Sequence, residues 1–248
     1  MSRRLPSNMS YTFGPGPVTP AVRGIIAAAI AVFVVELFAP VETVSWLGLT
    51  PAAVIGQGKV WQVVTYLFVH SPTSFTHILF NLLAVWMFGV DLEKRWGTAG
   101  FLKYFAITGV GAGLTILLLS RLSWAPLHAM YDVPTIGCSG AVYGLLLAWA
   151  ILFPNRPILF MLIFPISARA YALILGGIAF LSALSATGGP VSNAAHLSGL
   201  LIGWLYLKGP RNLRLELEYS IARWRMQRVR RRFSVHKGGR DDWEHRVH

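Results

Sequence analysis

The sequence predicts an all-α integral membrane protein, a bundle of six transmembrane helices with a long first loop lying in the membrane interface. Three observations carry that expectation. The 248 residues are 54% hydrophobic and 13% charged, against roughly 25% charged in an average soluble chain, and the mean hydropathy is +0.55. Apolar runs recur along the chain at or near the length that spans hydrocarbon. The Lys and Arg residues then fall largely on one side of a six-helix arrangement.

In chain order, residues 1–20 are polar, rich in proline and glycine, and carry Arg3 and Arg4. They read as a cytoplasmic arm. The run from Ala21 to Ala39 is about the ~20 residues needed to cross a bilayer and too long for the core of a cleaved signal peptide, so it is expected to remain as the first helix. Glu36, near its far end, is expected at the interface. Pro40 to Thr76 holds Trp46, Trp61, Tyr66 and short apolar patches, and is expected to lie in the interface, anchored by its aromatics. His77 to Val90 reads as the second helix, closed by a charged turn from Asp91 to Arg95 that includes Glu93. Phe101 to Leu119 reads as the third. Its Gly109, Gly111 and Gly113 point to close helix packing rather than a phosphate loop, because no strand precedes them.

A polar connection from Arg121 to Ile136, with Asp132 expected in solvent, leads to the fourth apolar run, Ala141 to Phe153. At 1.5 Å per residue that run covers only ~20 Å of a core ~30 Å thick. If its Pro154-Asn155 end is at one membrane surface, Ser139 lies well below the other, in a pocket lined by protein or water; an interfacial serine on a tilted helix is the alternative. Ile158 to Ile166, flanked and interrupted by Pro157 and Pro165, is too short to cross. Arg169 to Ala186 and Ser192 to Leu207 read as the fifth and sixth helices, joined through Gly188-Gly189-Pro190. The membrane domain is thus expected over residues 21–208, followed by a basic cytoplasmic tail over 209–248.

Six helices put both termini on one side. Arg3, Arg4, Arg23, Lys94, Arg95, Lys103, Arg156, Arg169 and the basic residues from Lys208 onward share that side, with Lys59 and Arg121 opposite. The positive-inside rule makes it the cytoplasm and turns Ser139 toward the outer face. The formal charge of +12 is concentrated in the tail, where Leu213, Leu217, Ile221 and Trp224 recur at helical spacing among arginines. That pattern fits an amphipathic helix on anionic lipid better than nucleic acid. A single cysteine, Cys138, excludes an internal disulfide and a zinc cluster built on thiolates.

Gly137-Cys138-Ser139-Gly140 stands where a polar stretch meets an apolar helix, and on its own such a tetrapeptide only turns a chain. A nucleophilic serine also requires a base and an oxyanion site. His196 lies in an apolar helix, where ionisable groups default to functional hypotheses; its plain alternative is an imidazole bonded to a backbone carbonyl. Gly199 and Gly203 share its face and would let a neighbouring helix approach closely. If that neighbour carries Ser139, the imidazole can take the hydroxyl proton and return it to the leaving amine. Asp91 and Glu93 belong to the cytoplasmic turn, so a Ser-His dyad is expected, with Tyr143 one turn from Ser139 packing on the imidazole. His77 and Asn81, four apart on one helix face, could complete an oxyanion hole with the Ser139 amide; a capping histidine and an interhelical asparagine are the alternative. The segment lacks the His-Glu-x-x-His of a zinc peptidase, and no pair of aspartates lies within the spans. No metal or cofactor is expected.

Together these residues resemble a rhomboid intramembrane serine protease. The resemblance rests on Trp61, His77 with Asn81, Glu93 with Gly97, Gly137-Cys138-Ser139-Gly140 with Tyr143, and Ala195-His196 with Gly199 and Gly203, and covers roughly Gly58 to Leu207. It implies Ser139 as nucleophile, His196 as general base, and His77, Asn81 and the Ser139 amide as oxyanion stabilisers. It implies that the Pro40 to Thr76 loop is a membrane-embedded brace. It further implies that the substrates are single-span membrane proteins whose helices unwind near small residues and enter beside the fifth helix. Two features depart from the pattern: many relatives carry Trp-Arg where Trp61-Gln62 stands here, and the spacing from His70 to His77 is longer than usual, so His70 receives no role.

The expected activity is therefore intramembrane serine endopeptidase. A binder of the same fold would have no need of both Ser139 and His196, and a transporter would show more intramembrane charge or paired broken helices. Arg3, Arg4 and the acid-free amino terminus also suit an organelle-targeting signal, but a bacterial plasma membrane is the simpler expectation.

Overall fold

The protein is described by a computed structural model covering residues 14–123, 125–160, 164–184 and 189–230. Arg3, Arg4 and the end of the tail beyond Arg230 lie outside the described residues. The chain forms two compact units, Met1–Leu207 and Lys208–His248.

The first unit opens with α1, Pro20–Phe38, whose free N-terminal amides have no cap from Thr19. They are met instead by Glu93. Its carboxylate accepts from the amides of Ala21 (3.0 Å) and Val22 (3.1 Å) and from the hydroxyls of Thr19 and Thr98. Glu93, expected in a charged turn, is buried, because a helix start offers orphan donors and a positive dipole end that suit a carboxylate.

The charged stretch around it is no turn. Helix α5, Phe75–Leu119, runs on through Asp91–Arg95 and breaks only at Gly97, where φ is 74° and ψ 165°. Its two halves are the second and third expected helices. Asp91 is also buried, accepting from Trp149 Nε1 at 3.0 Å and from Arg156 at 2.7 Å.

Between α1 and α5 lie α2 (Pro40–Leu47), α3 (Pro51–Gln57), α4 (Gln62–Thr65) and a 3-10 turn at Tyr66–Phe68. Gln62 is fully buried and braces this loop: Oε1 accepts from Thr50 N (3.1 Å) and Nε2 donates to Ser45 O (2.9 Å). Trp61 Nε1 donates to Trp46 O at 2.8 Å, with the two indoles stacked. A short helix α6 (Ala125–His128) then precedes α7, Ser139–Leu152.

The segment after α7 corrects the all-α expectation. Residues Pro157–Phe160 (β1) and Phe164–Ser167 (β2) pair antiparallel, with Pro157 opposite Ser167 and Phe160 opposite Phe164. Pro157 and Pro165 cannot supply helical amides, and the bulky apolar residues between them suit extended backbone. Helix α8 follows over Ala168–Leu184, and α9 runs over Pro190–Arg230 with non-helical φ/ψ at Gly209. In the second unit the Arg228 guanidinium lies 4.0 Å from the Trp224 ring; the side chains of Leu213, Leu217 and Ile221 lie outside the described residues.

Among these helices Pro20–Phe38 and Phe75–Leu119 are long and apolar enough to cross a bilayer, and Ser139–Leu152 and Ala168–Ala183 are apolar but shorter. Helices α5, α7 and α9 meet on small residues. A methyl group added to Gly199 would lie 2.0 Å from Gly140 O, and one added to Gly144 2.7 Å from Thr108 Cβ. Neither obstacle is a flexible side-chain end, so Gly199→Ala is expected to lower the thermal unfolding midpoint in detergent, with a loss of about 3 kcal/mol or more. Gly177→Ala, whose added methyl meets nothing within 4 Å, is the matched control and should leave the midpoint within error.

Candidate active site

The site is assembled on the backbone that leads into α7. Gly137 has φ of 98°, a conformation that favours glycine, and its amide donates to Tyr66 O at 2.9 Å. The preceding Thr135 exchanges both backbone bonds with Leu49 (2.8 and 2.9 Å), and Ala52 N donates to Tyr131 O. Tyr66 is in turn tied to α5 by its hydroxyl, which donates to Gly109 O at 2.7 Å. The loop between α1 and α5 therefore holds the turn from three points.

Ser139 is the first residue of α7, where an amide has no carbonyl one turn back to bond within the helix. Its Oγ lies 3.0 Å from His196 Nε2. The backbone contact of Gly199 with Gly140 is what lets α9 come so near. Tyr143, one turn along α7, stacks on the imidazole with centroids 4.3 Å apart and planes 17° apart. Gly203 sits against Gly144 and the Tyr104 hydroxyl, the next contact along the same pair of helices.

On the other side stand His77 and Asn81 from the first half of α5. A methyl group added to Gly137 would lie 2.8 Å from His77 Nε2 and 3.8 Å from Asn81 Nδ2, so both donors converge on the turn. Asn81 Nδ2 donates to His77 O (2.8 Å), which leaves its second proton free of that bond, while Oδ1 faces Cys138 Sγ at 3.6 Å. Ser139, His196, His77, Asn81 and Tyr143 all line one cavity of about 900 Å³, whose other walls include Phe80, Met87, Phe88, Leu146 and Tyr171. Its boundary is mostly apolar, with a few convergent polar groups at one place.

A model of the Rhomboid domain matches residues 57–209, more than half of the chain. The chain belongs to the rhomboid family. Among similar proteins, Rhomboid protein 1, mitochondrial, of Saccharomyces cerevisiae is 32% identical over 139 residues, which is 55% of this chain and 38% of that protein. Rhomboid protease GlpG of Yersinia pseudotuberculosis is 30% identical over 193 residues, 77% of this chain and 61% of its own length. Rhomboid protease GluP of Bacillus subtilis is 26% identical over 164 residues, 66% of this chain and 28% of its own length. The chain thus spans less than two thirds of each of these three relatives. As a rhomboid it is a helical membrane protein, in keeping with its apolar helices.

Two residues of this rhomboid behave otherwise than their sequence suggests. Glu36, expected at the interface, is fully buried, and both its carboxylate oxygens accept from the His70 amide at 3.0 Å. His70, left without a role, is fully buried too, its ring 5.2 Å from that of His77. Burial pushes its pKa down to about 4, so it is neutral, with Nδ1–H donating to Phe68 O (3.1 Å). An acid inside an apolar run was the available signal for Glu36. Asp132 is exposed, as its place in the loop suggests.

Cys138 packs beneath this turn and is 1% exposed. Its thiol is expected to resist a maleimide in the folded protein and to react fully once the protein is denatured in SDS, a contrast read directly by mass spectrometry.

Proposed function

We propose that this rhomboid is an intramembrane serine endopeptidase that cleaves single-span membrane proteins in or near their transmembrane segments. The observation that carries the reading is the 3.0 Å approach of His196 Nε2 to Ser139 Oγ on the wall of a largely apolar cavity. Ser139 Oγ attacks the scissile carbonyl carbon while His196 Nε2 takes its proton. The carbonyl oxygen becomes an oxyanion received by His77 Nε2–H, Asn81 Nδ2–H and the Ser139 amide. As the C–N bond breaks, His196 returns the proton to the leaving amine, and water then hydrolyses the acyl-serine by the same route.

Six spans are proposed: α1, the two halves of α5, α7, α8 and the part of α9 in the first unit. The 14 residues of α7 cover about 21 Å at 1.5 Å each, which supports a serine sunk below the outer surface of a core ~30 Å thick. Both termini then face the cytoplasm of a bacterial cell, and the 209–248 tail meets anionic lipid. No nucleic acid, metal or cofactor takes part.

Purified protein in detergent with a labelled transmembrane substrate tests the chemistry. Ser139→Ala and His196→Ala should each lower kcat by at least about 10³-fold. His77→Ala and Asn81→Ala should each lower it about 10²- to 10³-fold, the usual loss for one oxyanion donor. Cleavage that persists in both dyad variants would refute the mechanism, and a wild type that binds but never cuts would leave a binding protein. For the tail, tryptic cleavage at its arginines in proteoliposomes should slow several-fold when phosphatidylglycerol replaces phosphatidylcholine; equal rates in the two lipids would remove the lipid contact.

A further inference from the structure

A buried carboxylate in a membrane helix is costly unless something requires it, and Glu36 has no part in the reaction proposed above. It makes one use of itself: both oxygens accept from the amide of His70, 34 residues on, at 3.0 Å. The neighbouring amide, that of Ser71, donates to His77 Nδ1 at 3.4 Å. An imidazole nitrogen that accepts carries no proton, so a neutral ring whose Nδ1 accepts must hold its proton on Nε2. That is the nitrogen that points at the Gly137 turn, 2.8 Å from where a side chain there would begin.

We infer that Glu36 is a positioning residue, which by holding the His70-Ser71 backbone keeps the Ser71 amide on His77 Nδ1 and so fixes His77 as the tautomer that donates from Nε2 into the oxyanion site. The inference rests on the role of His77 in the proposed reaction. Its geometry does not: the clasp and the tautomer are properties of the resting protein. Three elements are linked by it, since Glu36 belongs to α1, His70 to the interfacial loop and His77 to α5. The ring of His70 packs against that of His77, so a shift of the loop would disturb the oxyanion donor by contact as well as through the amide. His70 itself cannot replace Ser71 as donor to the ring. Its own Nδ1–H goes to Phe68 O, and its Nε2 is buried without a partner among the described residues.

Histidine nitrogen-15 spectra of the full chain in detergent read the tautomer directly, with His77→Ala identifying the His77 signal among the seven histidines. The wild type should show a protonated Nε2 and an unprotonated Nδ1. Glu36→Gln, which retains an oxygen acceptor for the His70 amide, should keep that pattern and a near-wild-type kcat. Glu36→Leu should give a mixture of tautomers and lower kcat by about tenfold to a hundredfold with KM unchanged, within the loss of one whole oxyanion donor. In the His77→Ala background the same change should cost almost nothing further. Should Glu36→Leu fail to fold, Glu36→Asp, whose carboxylate falls one methylene short of the loop, is expected to shift the tautomer in the same direction.

A wild-type His77 protonated on Nδ1 would overturn the inference, as would a Glu36→Leu or Glu36→Asp variant that folds and keeps the wild-type tautomer, or a kcat loss that adds in full to that of His77→Ala. Absence of cleavage from every variant and from the wild type would instead bear on the proposed reaction, and the spectra would still decide the role of Glu36.

Discussion

The close approach of two backbones, at Gly140 on α7 and Gly199 on α9, is the constraint on which the site depends. Where a methyl on Gly199 would reach to 2.0 Å of Gly140 O, no side chain can stand between the helices. Helix pairs in lipid gain little from the hydrophobic effect, so van der Waals contact at short range is what holds them. The same closeness sets Ser139 and His196 side by side at 3.0 Å. Packing and geometry are therefore one feature here. A residue larger than glycine would weaken the bundle and separate the serine from its histidine together.

A second constraint acts on the turn before α7. A non-regular backbone has free amides and carbonyls, which must find partners if they are buried. Leu49, Ala52 and Tyr66 of the loop between α1 and α5 supply them to Thr135, Tyr131 and Gly137. The loop keeps its own shape through Gln62, Trp61 and Thr65, each bonded to carbonyls of residues 45–47. The loop is thus the partner that holds the positive-φ turn at Gly137. Gln62 serves as the brace without bringing a charge into the loop, because an amide both donates and accepts.

Most of the bundle was legible in the sequence because apolar length is a strong signal. The runs Ala21 to Ala39, Phe101 to Leu119 and Ala141 to Phe153 fall within one or two residues of helix ends at Phe38, Leu119 and Leu152. The pairing of Ser139 with His196 followed from a glycine face that only needed the right neighbour. What stayed hidden were buried charges. Asp91 and Glu93 read as a surface turn because their partners, Trp149, Arg156 and the first amides of α1, are far away in sequence. The pairing of Pro157–Phe160 with Phe164–Ser167 was missed because a short apolar segment has no periodicity to distinguish strand from helix. Glu36 was read from its position in a run, whereas its burial is decided by a loop 34 residues away.

The placement of charge bears on why the proposed dyad suits this fold. Glu36, Asp91 and Glu93 are all buried, and each spends its oxygens on N–H or O–H donors of the scaffold. None lines the cavity. In a low-dielectric surrounding, an ionised carboxylate beside the imidazole would carry a desolvation cost that only excellent pairing offsets. Stacking on Tyr143 orients the His196 ring without bringing a charge into the site. The groups around Ser139 can then all be neutral in the resting state, and the proposed reaction creates charge only as the imidazolium and oxyanion form. In that proposal His77 and Asn81, which already converge on the turn, need no reorganisation when the oxyanion appears. In the proposed reaction, a buried acid of this bundle then acts by holding a donor in place rather than by standing next to the base.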